Sequence, residues 1–296
     1  MAERNDIDIN KIKGQVDIGI ITMREDEFSA VLQRFPRNWA TSGGEARYNI
    51  AEIPSHAGPL YVAVMRTPEQ GHGAAQLAAS NFINDLDPSC LVLVGIGGAY
   101  PEFEFSLGDV VVATRIHDFS VTAALTGGRT EIAAAGGPMH SLVQKAVANL
   151  AADKDLFGDW YSVKRIGVSL PSISIAEDKF FGDEDWQGKV KAAISHRRKN
   201  PRQPLVTAAA VASGNMLVKD PEKLESWLEH ARDLKAVEME LPGVFIAARS
   251  VRGDKPILAI RGISDVVGYK HDSAWTAYAC YSAASFAYAF ISARQR

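Results

Sequence analysis

The chain predicts an α/β fold, a single domain whose helices flank a central sheet. Three observations predict it. Apolar runs of strand length alternate with stretches of helical spacing from Val16 to Ala293. No internal repeat, low-complexity stretch or interdomain linker interrupts them. The 296 residues, 47% of them apolar, are enough for the core of one such domain. Residues 1–14 are polar and charged and are expected to form a flexible N-terminal tail, with residues 15–296 as the domain.

The elements follow in order. Val16–Ile21 is a β-branched run suited to a buried first strand. Phe28, Val31 and Leu32 then have helical spacing, and Glu25, Asp26 and Glu27 suit the first turn of that helix. Tyr48–Ile53 and Leu60–Met65 read as neighbouring strands joined by a turn containing Pro54 and Pro59. The loop from Thr67 to Gly73, with His72 as a loop histidine, opens a helix from Ala74 to Leu86. Cys90–Ala99 is the clearest strand-plus-turn, and Asp109–Ile116 is a further strand. A helix is expected from His140 to Leu150, and strand material between Val163 and Ile175. Glu177–Pro204 is the most polar segment. Its basic run from His196 to Arg202 reads as solvated surface, the sharper alternative being a phosphate or nucleic-acid contact. Leu205–Ser213 is a strand. Lys219–His230 is a helix, with Asp220 and Pro221 in N-cap and N1 character. Val244–Val251 is helical, Pro256–Ile260 is a strand, and Ser273–Ala293 is a long closing helix rich in Ala and aromatic residues.

Composition excludes several classes. A formal net charge of -3 provides no field to recruit nucleic acid or acidic membrane. Cys90 and Cys280 lie in apolar surroundings without metal-ligand spacing, so no metal is expected. No run approaches the roughly 20 apolar residues of a membrane span, and no signal peptide is legible at the N-terminus. A cytoplasmic, enzyme-sized protein without a cofactor is the expectation. The glycines after Val94 invite a dinucleotide reading, but Tyr100 stands where the third small residue should be and a strand follows instead of a helix. They point to a close approach of backbone to a ligand or to a crossing chain.

Carboxylates near the core mark the candidate site. Glu238 and Glu240 lie two apart and face one side of an extended segment, and Asp265 ends an apolar strand at the sheet edge where such folds bind ligands. A helix-start charge for Glu240 and a cap for Asp265 would explain the same residues. Buried carboxylates are costly unless paired or used.

Four motifs then carry a family resemblance. They are Gly19-Ile20-Ile21 with Glu27, Val94-Gly95-Ile96-Gly97-Gly98 with Leu107-Gly108-Asp109-Val110-Val111-Val112, Val237-Glu238-Met239-Glu240, and Arg261-Gly262-Ile263-Ser264-Asp265. In this order, across residues 16–293, they resemble the nucleoside phosphorylase/nucleosidase superfamily, which includes purine nucleoside phosphorylases and methylthioadenosine/S-adenosylhomocysteine nucleosidases. The stretch from Arg197 to Asp220, together with His271, Asp272, Trp275 and Tyr278-Ala279, resembles a phosphorylase-like subgroup found in fungi and in bacterial defence proteins. The resemblance implies a three-layer α/β/α sandwich with a central mixed sheet, phosphorylase/hydrolase-like. It also implies cleavage of a purine N-glycosidic bond, a homo-oligomer (dimer or hexamer) and, for the subgroup, a defence-system partner.

The resemblance assigns roles. Asp265 would protonate purine N7, Ser264 would orient it, Glu240 would hold the ribose hydroxyls, Met239 would pack on the sugar, and Glu27 would activate water. Glu238, Gly98, Ala99, Ser213, Asn215 and Arg66 join the expected substrate-binding set. Leu217 stands near the position where the nucleosidases carry an aromatic that stacks on the base, so the stacking ring is expected at Phe180 or Phe181. Leu93 replaces an arginine that hexameric phosphorylases use for phosphate, and Glu27 repels an anion, so hydrolysis is preferred. A phosphate-dependent phosphorylase, an ATP nucleosidase effector of bacterial defence and an inactive nucleoside sensor are the alternatives. Arg24 and Arg66 leave an anion contact open.

Overall fold

The computed structural model describes residues 6–44, 46–56, 58–124, 126, 130–133, 135–216, 218 and 220–293. Its elements in chain order are α1 (Ile9–Ile12), β1 (Ile18–Thr22), α2 (Glu25–Arg34), β2 (Trp39–Gly43), β3 (Ala46–Ile53), β4 (Leu60–Arg66), α3 (His72–Leu86), β5 (Cys90–Ala99), β6 (Val110–Asp118), β7 (Thr122–Ala124), β8 (Thr130–Ile132) and β9 (Ala135–Pro138). They continue with α4 (Ser141–Ala148), α5 (Val163–Ile166), α6 (Glu184–Lys199), β10 (Val206–Ser213), α7 (Pro221–His230), β11 (Leu234–Glu238), α8 (Leu241–Arg249), β12 (Ile257–Val266) and α9 (Ser273–Ser292).

The central sheet runs β11-β10-β6-β12-β5-β1-β4-β3-β2, with β9 on β6. It is mixed. β1 is parallel to β4 and β5, and β12 is parallel to β5, whereas β12 runs antiparallel to β6. β11 also meets β5 antiparallel, through Ala236 with Ala99 and Val237 with Gly98, so one half of the sheet curls until its ends touch. Helices cover both faces: α2 packs on α9, and α3 on α8. Every residue of β1 is buried, as expected for a parallel strand covered on both faces.

Four stretches differ from the sequence expectation. Trp39–Gly43 is a strand paired antiparallel to β3. Val163–Ile175 contains no strand. Ser162 caps a single helical turn through the amide of Arg165, and Gly167, at a φ of 89°, ends it. The polar segment carries α6, whose Trp186, Val190 and Ile194 are buried beneath a charged outer face. The expected tail contains α1, with Ile12 buried and the Ile7 amide donating to the Ala40 carbonyl.

The basic run is not simply solvated surface. Arg197 is buried, and Arg202 forms a two-pronged pair with the wholly buried Asp109 at 2.6 Å on each prong. Asp109 also accepts the amides of Ser106 and Leu205, so it ties the entrance of β6 to that of β10. No described helix is long and apolar enough to cross a membrane.

Candidate active site

Glu27 sits at the third position of α2, where a carboxylate reaches back to the chain before the helix. One of its oxygens accepts the amides of Met23 and Arg24, each at 3.0 Å, and the other accepts that of Ile96 at 2.9 Å. Its helix-start chemistry therefore also fastens α2 to β5. Glu238 ends β11, and its Oε2 accepts the amides of Glu240 and Leu241 at 3.0 and 2.8 Å. Glu238 thus caps α8. Glu240, at the N-cap position, uses its side chain for no cap and turns it toward Arg261.

Arg261, wholly buried on β12, joins the two. Its Nη2 lies 2.5 Å from Glu238 and 3.1 Å from Glu240. Burial pulls its pKa down, but the charges of Glu238, Glu240 and Glu27 outweigh that and leave it raised. Burial also pushes Glu240 up to about 7. Arg261 opposes that rise, while Glu238 and Glu27 add to it. Asp265 is half-buried beside the Ser264 hydroxyl, which lies 2.7 Å from its carboxylate and 3.4 Å from the Gly97 carbonyl.

Glycines make this convergence possible. Cys90–Ala99 forms a continuous strand through Gly95, Gly97 and Gly98, with no turn at its end. A Cβ on Gly95 would strike the guanidinium of Arg261 and sit 2.5 Å from the Glu27 carboxylate. On Gly98 it would lie 2.7 Å from Asp265, and on Gly97 2.8 Å from the carbonyl of Val237 on β11. These glycines admit a crossing chain and three charged side chains.

One cavity collects Glu27, Glu238, Glu240, Ser264 and Asp265, with Met239 and Gly98 also in its wall. Met23, Ile96, Met216, Val218 and Val237 supply its apolar lining, and Arg24 and Gln70 stand beside Glu27. The other expected residues lie elsewhere. Ala99 is buried in the sheet between β11 and β12. The Ser213 hydroxyl lies 3.1 Å from His72 Nε2 and 3.2 Å from the Glu238 carbonyl, outside the lining. Asn215 is exposed, and Leu217 lies outside the described residues.

Phe180 and Phe181 do not reach the cavity: Phe180 packs on Tyr269, and the Phe181 amide donates to the Gly268 carbonyl. The expected stacking ring is therefore absent there, and among the described lining residues apolar contact comes from methionine and aliphatic side chains. Polarisable methionine packs well on aromatic rings. Arg66 pairs with Glu25 in an adjoining depression that shares Met23, Arg24 and Gln70 with the cavity.

Sequence reasoning passed over Arg261, though it opens one of the quoted motifs; the glycine opposite it, Gly95, was its signal. Gln70 and Met216 had no signal of their own. Among the described residues no group of three or more His, Cys, Asp or Glu has metal-binding geometry.

Comparison with known proteins gives the family and the fold. A family model described as "Phosphorylase superfamily" matches residues 17–292. The chain is 28% identical over 269 residues to the ATP nucleosidase Cap17 of Escherichia coli, covering 90% of this chain and 46% of that protein. It therefore spans about half the length of that relative. It is 25% identical over 257 residues to the 5'-methylthioadenosine/S-adenosylhomocysteine nucleosidase of Shewanella sediminis, covering 84% and 85% of the two chains. The Neisseria meningitidis enzyme of the latter name, in complex with methylthio-immucillin-A, shares the fold with a TM-score of 0.63 at 15% identity, over 93% of this chain and 98% of that one.

Proposed function

The chain belongs to the phosphorylase superfamily, and on that premise we propose that it is a purine nucleosidase, cleaving the N-glycosidic bond of a purine nucleoside or nucleotide with water. One observation carries the reading. Glu27, Glu240 and Asp265, on three different elements, line a single cavity. Such a reaction needs a proton for the leaving base, negative charge beside the developing ribosyl cation, and a base for the attacking water. In this proposal Asp265, held by Ser264, protonates purine N7. Glu240, anchored by Arg261, grips the ribose hydroxyls, and Glu27 takes the proton of the water. Two backbone elements fix the Glu27 carboxylate, which suits a group that must hold one water in place.

Charge supports water over phosphate as the nucleophile. The cavity presents Glu27, Glu238, Glu240 and Asp265, and its buried guanidinium, Arg261, is committed to Glu238 and Glu240. Arg24 is held by both oxygens of Asp26, at 2.9 and 2.7 Å. A phosphate dianion would meet four carboxylates, while Arg261 and Arg24 already have carboxylate partners of their own.

The nucleotide form of the substrate has one observation in its favour. Arg24 and Arg66 line the depression that adjoins the cavity, and a 5′ phosphate placed there would compete with Asp26 and Glu25 for them. The ATP nucleosidase relative points the same way. The proposal includes a single domain, with α1 packed on it, and a homo-oligomer, either dimer or hexamer. Leu77 on α3 and Ile246 on α8, exposed apolar side chains on adjoining helices, support the assembly. Sedimentation showing only monomer at micromolar concentration would remove it.

Free-base release, followed by chromatography, is the test. Adenosine, methylthioadenosine, S-adenosylhomocysteine, AMP, ATP and their guanine and inosine counterparts are each supplied with and without phosphate. The expected result is release of base and free sugar without phosphate. Release only with phosphate, yielding ribose 1-phosphate, would replace hydrolysis by phosphorolysis. Arg24→Ala and Arg66→Ala are expected to slow release from ATP but not from adenosine if the nucleotide reading holds.

A further inference from the structure

Two depressions away from the catalytic cavity share Arg34, Arg165 and Tyr288. Arg34 ends α2, seven residues beyond Glu27, so it stands about 10 Å further along the helix axis at 1.5 Å per residue. This is the opposite end of the helix that delivers Glu27 to the catalytic cavity.

The two guanidiniums at this place are unequally paired. Arg165 is close enough for its charge to act on Arg34, and burial together with that like charge holds the Arg34 pKa below its ordinary range. Arg165 has a carboxylate partner, Asp159, at 3.4 Å. Arg34 has none among the described residues, and its Nε is buried without a hydrogen-bond acceptor. The Ser292 hydroxyl in the same wall is likewise buried and unpartnered. Glu52 lines one depression and Asp155, Asp159 and His56 the other, but none of the three carboxylates pairs with Arg34 among the described residues. Three aromatic side chains stand in the wall, Phe157 and Trp160 buried and Tyr288 half-buried, beside Leu156, Ala289 and Ala293. Two guanidiniums facing one space, one of them unneutralised, beside aromatic rings and a free hydroxyl, form a recognition pattern for an oxyanion on a flat apolar body.

We propose that this cavity is a second ligand site, in which Arg34 and Arg165 bridge an oxyanion of the phosphate type and Phe157, Trp160 and Tyr288 receive any ring attached to it. The site is independent of the reading of the catalytic cavity. The ligand is free phosphate or a small aromatic phosphate ester.

Calorimetric titration of the full chain with inorganic phosphate and with phenyl phosphate tests it. Phenyl phosphate has no glycosidic bond, so turnover cannot confuse the signal. The expected result is saturable binding that weakens about tenfold or more in Arg34→Ala and again in Arg165→Ala, and is unchanged in Arg24→Ala. Tighter binding of phenyl phosphate, lost in Tyr288→Ala, identifies an ester; equal binding of both identifies free phosphate. Arg165 is more than half exposed, so its variant keeps the test meaningful if Arg34→Ala fails to fold. No saturable binding of either probe overturns the proposal. So does binding that survives both variants or disappears only in Arg24→Ala, which would place the anion in the catalytic cavity.

Discussion

Glu240 shows how individual charges are balanced. Its raised pKa, about 7, means that the folded chain holds a proton that the unfolded chain has released in the window between the ordinary carboxylate range and pH 7. Stability from this group is therefore highest below that window and falls as pH rises through it. Glu240→Gln cannot ionise. Its melting temperature is expected to gain on that of the unaltered chain as pH is raised from 5 to 8, and a difference that stays constant would remove the buried-charge reading. At Asp265, replacing the acid by an amide leaves the Ser264 contact possible but removes the transferable proton. Asp265→Asn is expected to lower base release by about 10²–10⁴-fold with an unchanged melting temperature. Retained activity would sink the assignment of Asp265 as the acid.

Single positions within elements decide whether the carboxylates can meet. β5 runs straight through Gly95 because Arg261 and Glu27 occupy the space a side chain would need. Gly95→Ala is expected to cost about 1–3 kcal/mol in denaturant unfolding and to depress base release with it. Stability lost without any loss of activity would show that the Arg261 cluster does not position the site. Asp109 works at the base of β6 and β10, clear of the cavity lining. Asp109→Ala strands the Arg202 guanidinium and is expected to cost about 1.5–3 kcal/mol with KM unchanged. Motifs legible along the chain served two different ends here. The Asp109 motif holds strands together, while the motifs ending in Glu240 and Asp265 furnish the cavity.

For the molecule as a whole, the curled half of the sheet places the cavity. β11 must return to β5 for Glu238 to reach Arg261, a contact between residues 23 apart, and Glu27 must reach Ile96, 69 residues away. Residues 6–14 belong to the same packing, since Ile12 is buried and the Gly14 amide donates to the Leu86 carbonyl. A chain starting at residue 15 is expected to melt about 5 °C lower, from the loss of one buried isoleucine and its neighbouring contacts. An unchanged melting temperature would restore the tail reading.

Much of this was legible in the sequence because it is local. Apolar runs marked β1, β4, β5 and β12. Asp220 and Pro221 marked the start of α7, and two-residue spacing put Glu238 and Glu240 near one another. The same local signals failed where partners are distant. α6 reads as a polar segment because its outer face dominates the composition, and Val163–Ile166 forms a helical turn through a cap and a left-handed glycine despite its β-branched residues. Which glutamate caps α8 and which one faces Arg261, whether Arg197 is solvated or buried, and whether Phe181 reaches the cavity are all set by packing. The sequence by itself determined the central strands β1, β4, β5 and β12, the glycines and the acids. Tertiary structure alone decided their partners, because a buried charge is oriented by groups brought to it from far along the chain, and no spacing rule records which of them arrive.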